Sequence, residues 1–333
     1  MQQPSLHFVQ CTDSADGHLM AYWQWGNPHS AHVVVCAHGL SRQGRDFDVL
    51  AQALVHAAPS GNVRVVCVDV VGRGESGWLK DPAGYQVPQY AADMLALLAQ
   101  LHAQAPIVDL DWVGTSMGGL IGMVVCGQLG LGATAASGAA GAAGSTGAKS
   151  MPGPVRRLVL NDVGPALQWQ AIVRIGAYLG SAGLFDSVQS AADAMWVIST
   201  GFGPHTPEQW LALSRPMTRP ISSAPNTQYR LHYDPALAVP FKQATEASTL
   251  QSEQALWQLY DHITAETLLL RGAESDLLSP ATAQAMTERG PKAKLVEFAG
   301  VGHAPTLIAP DQVASVVSFL LEQIGRASCR ERV

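Results

Sequence analysis

Runs of apolar residues, each followed by a glycine-containing turn, recur through the first third of the chain. The runs at 33–37 and 63–70 are almost continuously apolar, which predicts strands buried on both faces. Helical spacing of apolar residues follows at 46–57 and at 87–102. This alternation predicts an α/β fold with parallel strands, right-handed crossovers and helices on both faces of the sheet.

The pattern changes at the start and in the second half of the chain. Residues 6–12 and 18–26 flank a polar turn, which predicts an antiparallel hairpin. From 164 to 262, segments rich in Trp, Tyr, Leu and Met are repeatedly broken by proline, which predicts a helical insertion. We therefore expect a core formed by residues 1–163 and 263–323, with the insertion at 164–262 as a cap over the strand ends.

Two segments are set apart by their composition. Residues 132–154 are dominated by Gly, Ala, Ser and Thr, which predicts a flexible surface loop between a helix and a strand. Residues 324–333 break the helical pattern before them and resemble the translation of a sequencing adapter. We interpret this segment as a non-native tail and exclude it from reasoning about the fold.

Charge and composition narrow the class of partner. The chain of 333 residues has a formal net charge of −6 and no basic cluster, so we expect neither a nucleic acid nor a membrane as its partner. Its start lacks a signal-peptide pattern, and no apolar run is long enough to span a bilayer, which predicts a cytoplasmic protein. The five cysteines lack metal-ligand spacing, so we expect reduced thiols and no metal. A small-molecule substrate fits this charge and composition. The sequence does not predict the oligomeric state.

Candidate chemistry centres on Ser116. Gly114, Ser116 and Gly118 form the pattern G-x-S-x-G between a short apolar run and a helical segment. A serine on such a strand-to-helix turn is exposed at a helix N-terminus and is placed to attack a substrate. The alternative is a structural turn, because small residues often form turns in a chain with 32 glycines.

A serine hydroxyl needs a histidine within hydrogen-bond reach and a carboxylate that orients the histidine. His303 follows the last predicted strand, and Asp276 follows the strand before it. The order Ser116, Asp276, His303 is that of a known hydrolase class. The backbone amides of Met117 and Leu40 are the expected oxyanion donors.

Together these features resemble the α/β-hydrolase family, and specifically its capped members. His38 and Gly39 are similar to the family's oxyanion loop, residues 69–77 to its D-x-x-G-x-G-x-S loop, and residues 114–118 to its nucleophile elbow. The resemblance covers nearly all of residues 6–322. It implies a mostly parallel eight-stranded sheet with a helical cap, and a structural role for the histidine of the oxyanion loop.

The resemblance also implies a Ser-His-Asp triad and an acyl-enzyme intermediate, without cofactor or metal. Ser116 would be the nucleophile, His303 the general base and Asp276 the acid. The acid loop has three residues between its glycine and Asp276, where many members have two. This departure leaves Glu274 and Asp162 as alternative acids.

The expected function is a serine hydrolase that cleaves carboxylic esters of small or medium acyl substrates. One alternative is hydrolysis of a carbon–carbon bond in a ring-cleavage diketone, which would need a cation in the pocket. Arg42 and Arg45 are the candidate cations, unless each pairs with an aspartate, Asp46 or Asp48, on the following helix. The other alternative is a non-catalytic receptor for a small molecule on the same scaffold.

Overall fold

The computed structural model describes residues 3–138, 152–181, 183–222 and 227–321, with the backbone alone for 130–138. It contains one eight-stranded sheet and one two-stranded sheet. The strands are β1 (Ser5–Cys11), β2 (His18–Gly26), β3 (His32–Ala37), β4 (Arg64–Asp69), β5 (Asp109–Thr115), β6 (Arg157–Asn161), β7 (Thr218–Pro220), β8 (Tyr229–Leu231), β9 (Glu266–Gly272) and β10 (Lys294–Phe298). The large sheet confirms the predicted eight strands.

The strand order of the large sheet is β1-β2-β4-β3-β5-β6-β9-β10. The pairs β1–β2 and β2–β4 are antiparallel, and the strands from β4 to β10 along the sheet are parallel. The opening hairpin and the mostly parallel sheet are thus both confirmed. The strand order reverses between β3 and β5, and the carboxyl ends of strands beside such a switch point form the crevice in which ligands bind.

Helices cover both faces of the sheet, as predicted. They are α1 (Asp48–Ala57), α2 (Val87–Gln104), α3 (Met117–Gly138), α4 (Trp169–Tyr178), α5 (Val188–Ser199), α6 (Pro207–Ser214), α7 (Ala238–Gln243), α8 (Glu246–Asp261), α9 (Pro280–Glu288) and α10 (Pro310–Leu321). Leu54 of α1 and Leu320 of α10 belong to one apolar core. Leu97 of α2 and Ile121 of α3 belong to the other.

The predicted Gly/Ala-rich loop at 132–154 begins later than expected. Helix α3 continues to Gly138, because alanine is the residue that most favours a helix and offsets the cost of the interspersed glycines. The remainder of that loop at 139–151 lies outside the described residues, as does the predicted tail at 324–333. Within the described ranges, no helix is both long enough and apolar enough to cross a membrane.

The insertion after β6 contains more than helices. Helices α5 and α6 pack around their own apolar cluster, which includes Met195 and Trp210. The short strands β7 and β8 pair as an antiparallel ribbon that hydrophobic periodicity did not predict, since three residues are too few to show a period.

The last helix of the predicted insertion belongs to the core layer. Leu259 of α8 lies against Gly127 of α3, and the hydroxyl of Tyr260 donates a 2.7 Å hydrogen bond to the carbonyl of Met286. The part of the insertion that lies over the strand ends is therefore shorter than the predicted range 164–262.

Candidate active site

Ser116 lies on a tight turn between β5 and α3. Its φ of 53° is in the left-handed region, and its amide donates a 2.9 Å hydrogen bond to the carbonyl of Asn161. A Cβ at Gly114 would overlap the carbonyl of Gly118, and a Cβ at Gly118 would overlap the carbonyl of Ala37. The G-x-S-x-G pattern is thus required by the close approach of backbone segments, and the turn lifts the serine out of the sheet.

The structure brings Ser116 and His303 together. The hydroxyl Oγ of Ser116 lies 2.9 Å from Nε2 of His303, and Nδ1 of His303 lies 2.7 Å from Oδ2 of Asp162. Asp162 is completely buried. Its Oδ1 accepts a hydrogen bond from the amide of Gly272, and its Oδ2 accepts one of 2.6 Å from the hydroxyl of Ser275. Because a carboxylate only accepts, Nδ1 carries the proton and Nε2 is free to accept the proton of the serine.

The expected pairing of Asp276 with the histidine is not present and is corrected to Asp162. In the turn after β9, Ser275 occupies the position beside the Asp162 carboxylate, and the next residue points outward. Asp276 instead accepts hydrogen bonds of 2.8 and 2.9 Å from Arg174, and Glu274 is exposed. Asp162, one of the two alternatives left open by the sequence, directly follows β6, so its position at a strand end was the available signal.

Asn161 joins the two loops that carry the serine and the histidine. Its buried side-chain amide donates hydrogen bonds to Thr115 Oγ1 at 3.0 Å and to the carbonyl of Pro305 at 2.8 Å. Thr115 directly precedes Ser116, and Pro305 lies two residues after His303. Sequence reasoning missed this residue because both of its partners are distant along the chain.

The oxyanion loop is held by His38, which is completely buried. Its Nδ1 donates to the carbonyl of Gly39 at 2.7 Å, and its Nε2 accepts from the amide of Val70 at 3.0 Å. Burial lowers the pKa of His38 to about 3, with smaller contributions from nearby arginines. The ring is therefore neutral and ties the loop to the end of β4.

Arg73 lies behind the two residues expected to supply oxyanion donors. This fully buried guanidinium donates to the carbonyl of Leu40 at 2.8 Å and contacts Met117 Sδ at 3.3 Å. A third bond of 2.7 Å reaches the carbonyl of Val71, and the ring of Tyr90 lies 4.9 Å away. In the described part of the chain, these hydrogen-bond partners of the guanidinium are thus two carbonyls and a thioether, and none of them is a carboxylate. Sequence reasoning did not select this residue.

Ser116 and His303 line a cavity of about 360 Å³ between the sheet and the insertion. The insertion contributes apolar and aromatic side chains, among them Tyr178, Met195 and Phe202. A largely apolar cavity with a few convergent polar groups is the usual form of a small-molecule site. Its polar groups include Ser116 and His303 as well as charged side chains on the wall, such as Arg42 and Arg174.

The two arginines considered as pocket cations are both paired with aspartates. Arg42 lines the cavity, but its guanidinium donates bonds of 2.6 and 2.7 Å to Asp46. Arg45 pairs with Asp48 at 2.6 Å, lies over the ring of Trp23, and is not among the cavity-lining residues. Neither offers an uncommitted charge for a diketone acid.

The insertion also contacts the histidine loop directly. The amide of Gly302 donates a 2.6 Å hydrogen bond to the carbonyl of Gly201. His205 bonds to the carbonyl of Gly203 through Nδ1 and to Thr306 Oγ1 through Nε2, each at 2.9 Å. Burial lowers the pKa of His205, which favours the neutral ring. These contacts link the conformation of the insertion to that of the candidate base.

One group of side chains in the described part of the chain has metal-ligand atoms within 4.8 Å of one another: Cys11, His18 and Asp93, all buried. None of them lines the cavity. Both ring nitrogens of His18 contact carboxylates, of Asp93 at 3.0 Å and of Asp13 at 3.1 Å. Burial raises the pKa of the Cys11 thiol to about 12. We interpret the group as a buried hydrogen-bonded cluster that joins β1, β2 and α2.

Comparisons with known proteins agree with this architecture. A family model described as serine aminopeptidase, S33, matches residues 28–307. A 3-hydroxybutyrate-oligomer hydrolase from Cupriavidus necator is 45% identical over 316 residues, covering 95% of this chain and 97% of that protein. An α/β hydrolase of known structure from Novosphingobium aromaticivorans is 31% identical with a TM-score of 0.73, covering 96% of this chain and 99% of that one.

A thioesterase domain from the curacin biosynthetic pathway is 21% identical with a TM-score of 0.64, covering 96% of this chain and 100% of that domain. At that identity the similarity concerns the fold alone. The matches as a whole confirm the predicted α/β-hydrolase fold and the hydrolase class, and they support ester hydrolysis as the general reaction. The chain belongs to the serine aminopeptidase S33 family of α/β hydrolases.

Proposed function

We propose that this protein hydrolyses the ester bonds of short 3-hydroxybutyrate oligomers, using Ser116 as nucleophile, His303 as general base and Asp162 as the orienting carboxylate. The substrate is suggested by the relative from Cupriavidus necator, which matches nearly the whole chain. The hydrogen-bonded series from Ser116 Oγ through His303 to Asp162 is the observation that carries the proposed mechanism.

In the acylation step, Nε2 of His303 takes the proton of Ser116 as Oγ attacks the ester carbonyl carbon. Negative charge develops on the carbonyl oxygen, and the amides of Leu40 and Met117 are proposed to stabilise it. The bond between the carbonyl carbon and the leaving oxygen then breaks. The imidazolium returns its proton to that oxygen, which releases the alcohol part and leaves an acyl group on the serine.

In the deacylation step, a water molecule attacks the acyl carbon while His303 accepts one of its protons. The bond between the acyl carbon and the serine oxygen breaks, and the proton returns to Ser116. Asp162 accepts the hydrogen bond from Nδ1–H of His303 in both steps and stabilises the imidazolium that forms in each step. The products are a carboxylic acid and an alcohol, and the enzyme is regenerated.

The proposal is tested by incubating wild-type protein and Ser116→Ala with the linear dimer and trimer of 3-hydroxybutyrate and measuring monomer release by chromatography. We expect turnover by the wild type, and a fall in kcat of about 10⁶-fold in the variant. Thr115→Ser, next to the nucleophile, is the control for general disturbance of the turn. Tight binding of oligomers without turnover would favour the receptor alternative and contradict the proposal.

A further inference from the structure

Arg174 places a positive charge on the wall of the cavity that holds Ser116. It lies on α4, lines the cavity, and its side chain is 44% exposed, so the guanidinium lies where the cavity meets solvent. Tyr178 follows one helical turn later and lines the same cavity. Burial raises the pKa of Tyr178, and the charge and hydrogen bond of Arg174 oppose that rise.

The protein partner of Arg174 is easily replaced. Asp276 accepts both of its hydrogen bonds, at 2.8 and 2.9 Å, but its side chain is 50% exposed and does not line the cavity. The pair is bidentate, but water solvates both half-exposed partners, so the pair contributes less stability than a buried pair of the same geometry. A ligand carboxylate that enters the cavity can therefore compete with Asp276 for the guanidinium.

Arg42, the other arginine on the cavity wall, is bound more firmly. Its pair with Asp46 is only 12% and 18% exposed, and a further bond reaches the carbonyl of Leu213. Asp46 also lines the cavity, so these two charges cancel there. Among the described residues that line the cavity, Arg174 thus has no acidic partner, since Asp276 lies outside the lining, although the chain as a whole carries a formal charge of −6.

We propose that Arg174, assisted by Tyr178, binds the carboxylate of an acidic ester substrate. A planar guanidinium suits this task because it donates two parallel hydrogen bonds to a carboxylate. The inference rests on the proposed function for the identity of that substrate, a linear hydroxy-acid oligomer with one free carboxyl end. Anchoring that end in the cavity sets which ester bond, counted from it, reaches Ser116.

The test compares the trimer of 3-hydroxybutyrate with its methyl ester, which has the same ester bonds but no free carboxylate. We expect a lower KM for the acid than for the methyl ester in the wild type. Arg174→Gln should raise KM for the acid about tenfold, as expected for loss of a charge-assisted pair, and leave KM for the methyl ester and both kcat values nearly unchanged. Asp276→Asn, which frees the guanidinium, should lower KM for the acid.

The matched control is Arg289→Gln. Arg289 forms a similar bidentate pair with Asp261, at comparable exposures of 45% and 36%, and does not line the cavity. We expect this variant to behave as the wild type. Equal KM values for acid and methyl ester in the wild type, or an unchanged ratio in Arg174→Gln, would overturn the inference.

The experiment also separates this inference from the proposed function. If the wild type cleaves p-nitrophenyl butyrate but no hydroxybutyrate oligomer, the proposed substrate is wrong. The comparison is then made between p-nitrophenyl hydrogen succinate and p-nitrophenyl butyrate. Arg174→Gln should again raise KM for the acidic ester alone. If this variant raises KM for neither ester, or for both esters, carboxylate binding by Arg174 is overturned.

Discussion

The carboxylate of Asp162 lies 2.7 Å from Nδ1 of His303, although the two residues are 141 positions apart in the chain. The contact joins the end of β6 to the loop after β10, and β9 lies between these strands in the sheet. Asp162 has a φ of 57°, in the left-handed region that aspartate tolerates better than most residues. This backbone conformation directs the Asp162 carboxylate toward Nδ1 of His303.

Replacement of Asp162 by asparagine should lower kcat by about 10⁴-fold, because the amide no longer holds the productive tautomer of His303. Asp276→Asn is the matched control, since that carboxylate contacts Arg174 and not the histidine. With p-nitrophenyl butyrate, a neutral substrate, the control should retain wild-type kcat. A large loss in Asp276→Asn together with near-normal kcat in Asp162→Asn would return Asp276 to the role of acid.

Arg73 should affect the rate of reaction more than substrate binding. Arg73→Met removes the bonds to the Leu40 carbonyl and to Met117, and we expect kcat to fall about 10²-fold because small displacements of reacting groups are costly. Arg73→Lys keeps the charge but not the planar set of donors, so its kcat should lie between those of the wild type and of Arg73→Met. Near-ultraviolet circular dichroism checks that each variant is folded. A folded Arg73→Met variant with wild-type kcat would show that this residue does not position the oxyanion loop.

His18 should make stability depend on pH. Burial alone lowers the pKa of His18, but hydrogen bonds and charges of Asp93 and Asp13 outweigh burial and raise the pKa above its ordinary value. The native state therefore holds the proton more tightly than the unfolded state. The stabilisation is present below the unfolded pKa and is lost as pH rises through the folded pKa.

Urea unfolding of the wild type and of His18→Gln at about pH 6 and about pH 9 measures this effect. We expect the substitution to reduce the free energy of unfolding more at the lower pH. His29→Gln, at an exposed position in a turn, is the control and should show no such difference. An equal loss at both pH values in His18→Gln would contradict a protonated histidine in the cluster.

The sequence predicted those parts of the site that short motifs and neighbouring strands mark. Ser116 stands between a strand and a helix in a five-residue motif with Gly114 and Gly118, and His303 lies in the loop after the last strand. The acid could not be chosen in the same way, because two strands each end near an aspartate. The choice depends on the turn after β9, in which Ser275 takes the position beside Asp162.

Contacts over long distances in the chain were not predictable where no motif marks the residues. Arg73 bonds to a residue 33 positions before it and contacts another 44 positions after it, and no periodicity carries that information. The strand and helix pattern of the core was predictable because it repeats. The insertion was predictable only in outline, since its two short strands and the core position of α8 depend on packing.

In the proposed mechanism, the acyl group of the substrate is transferred to Ser116 before water releases it. The most direct test is rapid acid quenching of wild-type protein and of Ser116→Ala during incubation with p-nitrophenyl butyrate, followed by peptide mass spectrometry. We expect a butyryl group on the peptide that contains Ser116 in the wild type, and none on the corresponding peptide of Ser116→Ala. Acylation of a different residue, or substrate turnover by Ser116→Ala at the wild-type rate, would contradict this mechanism.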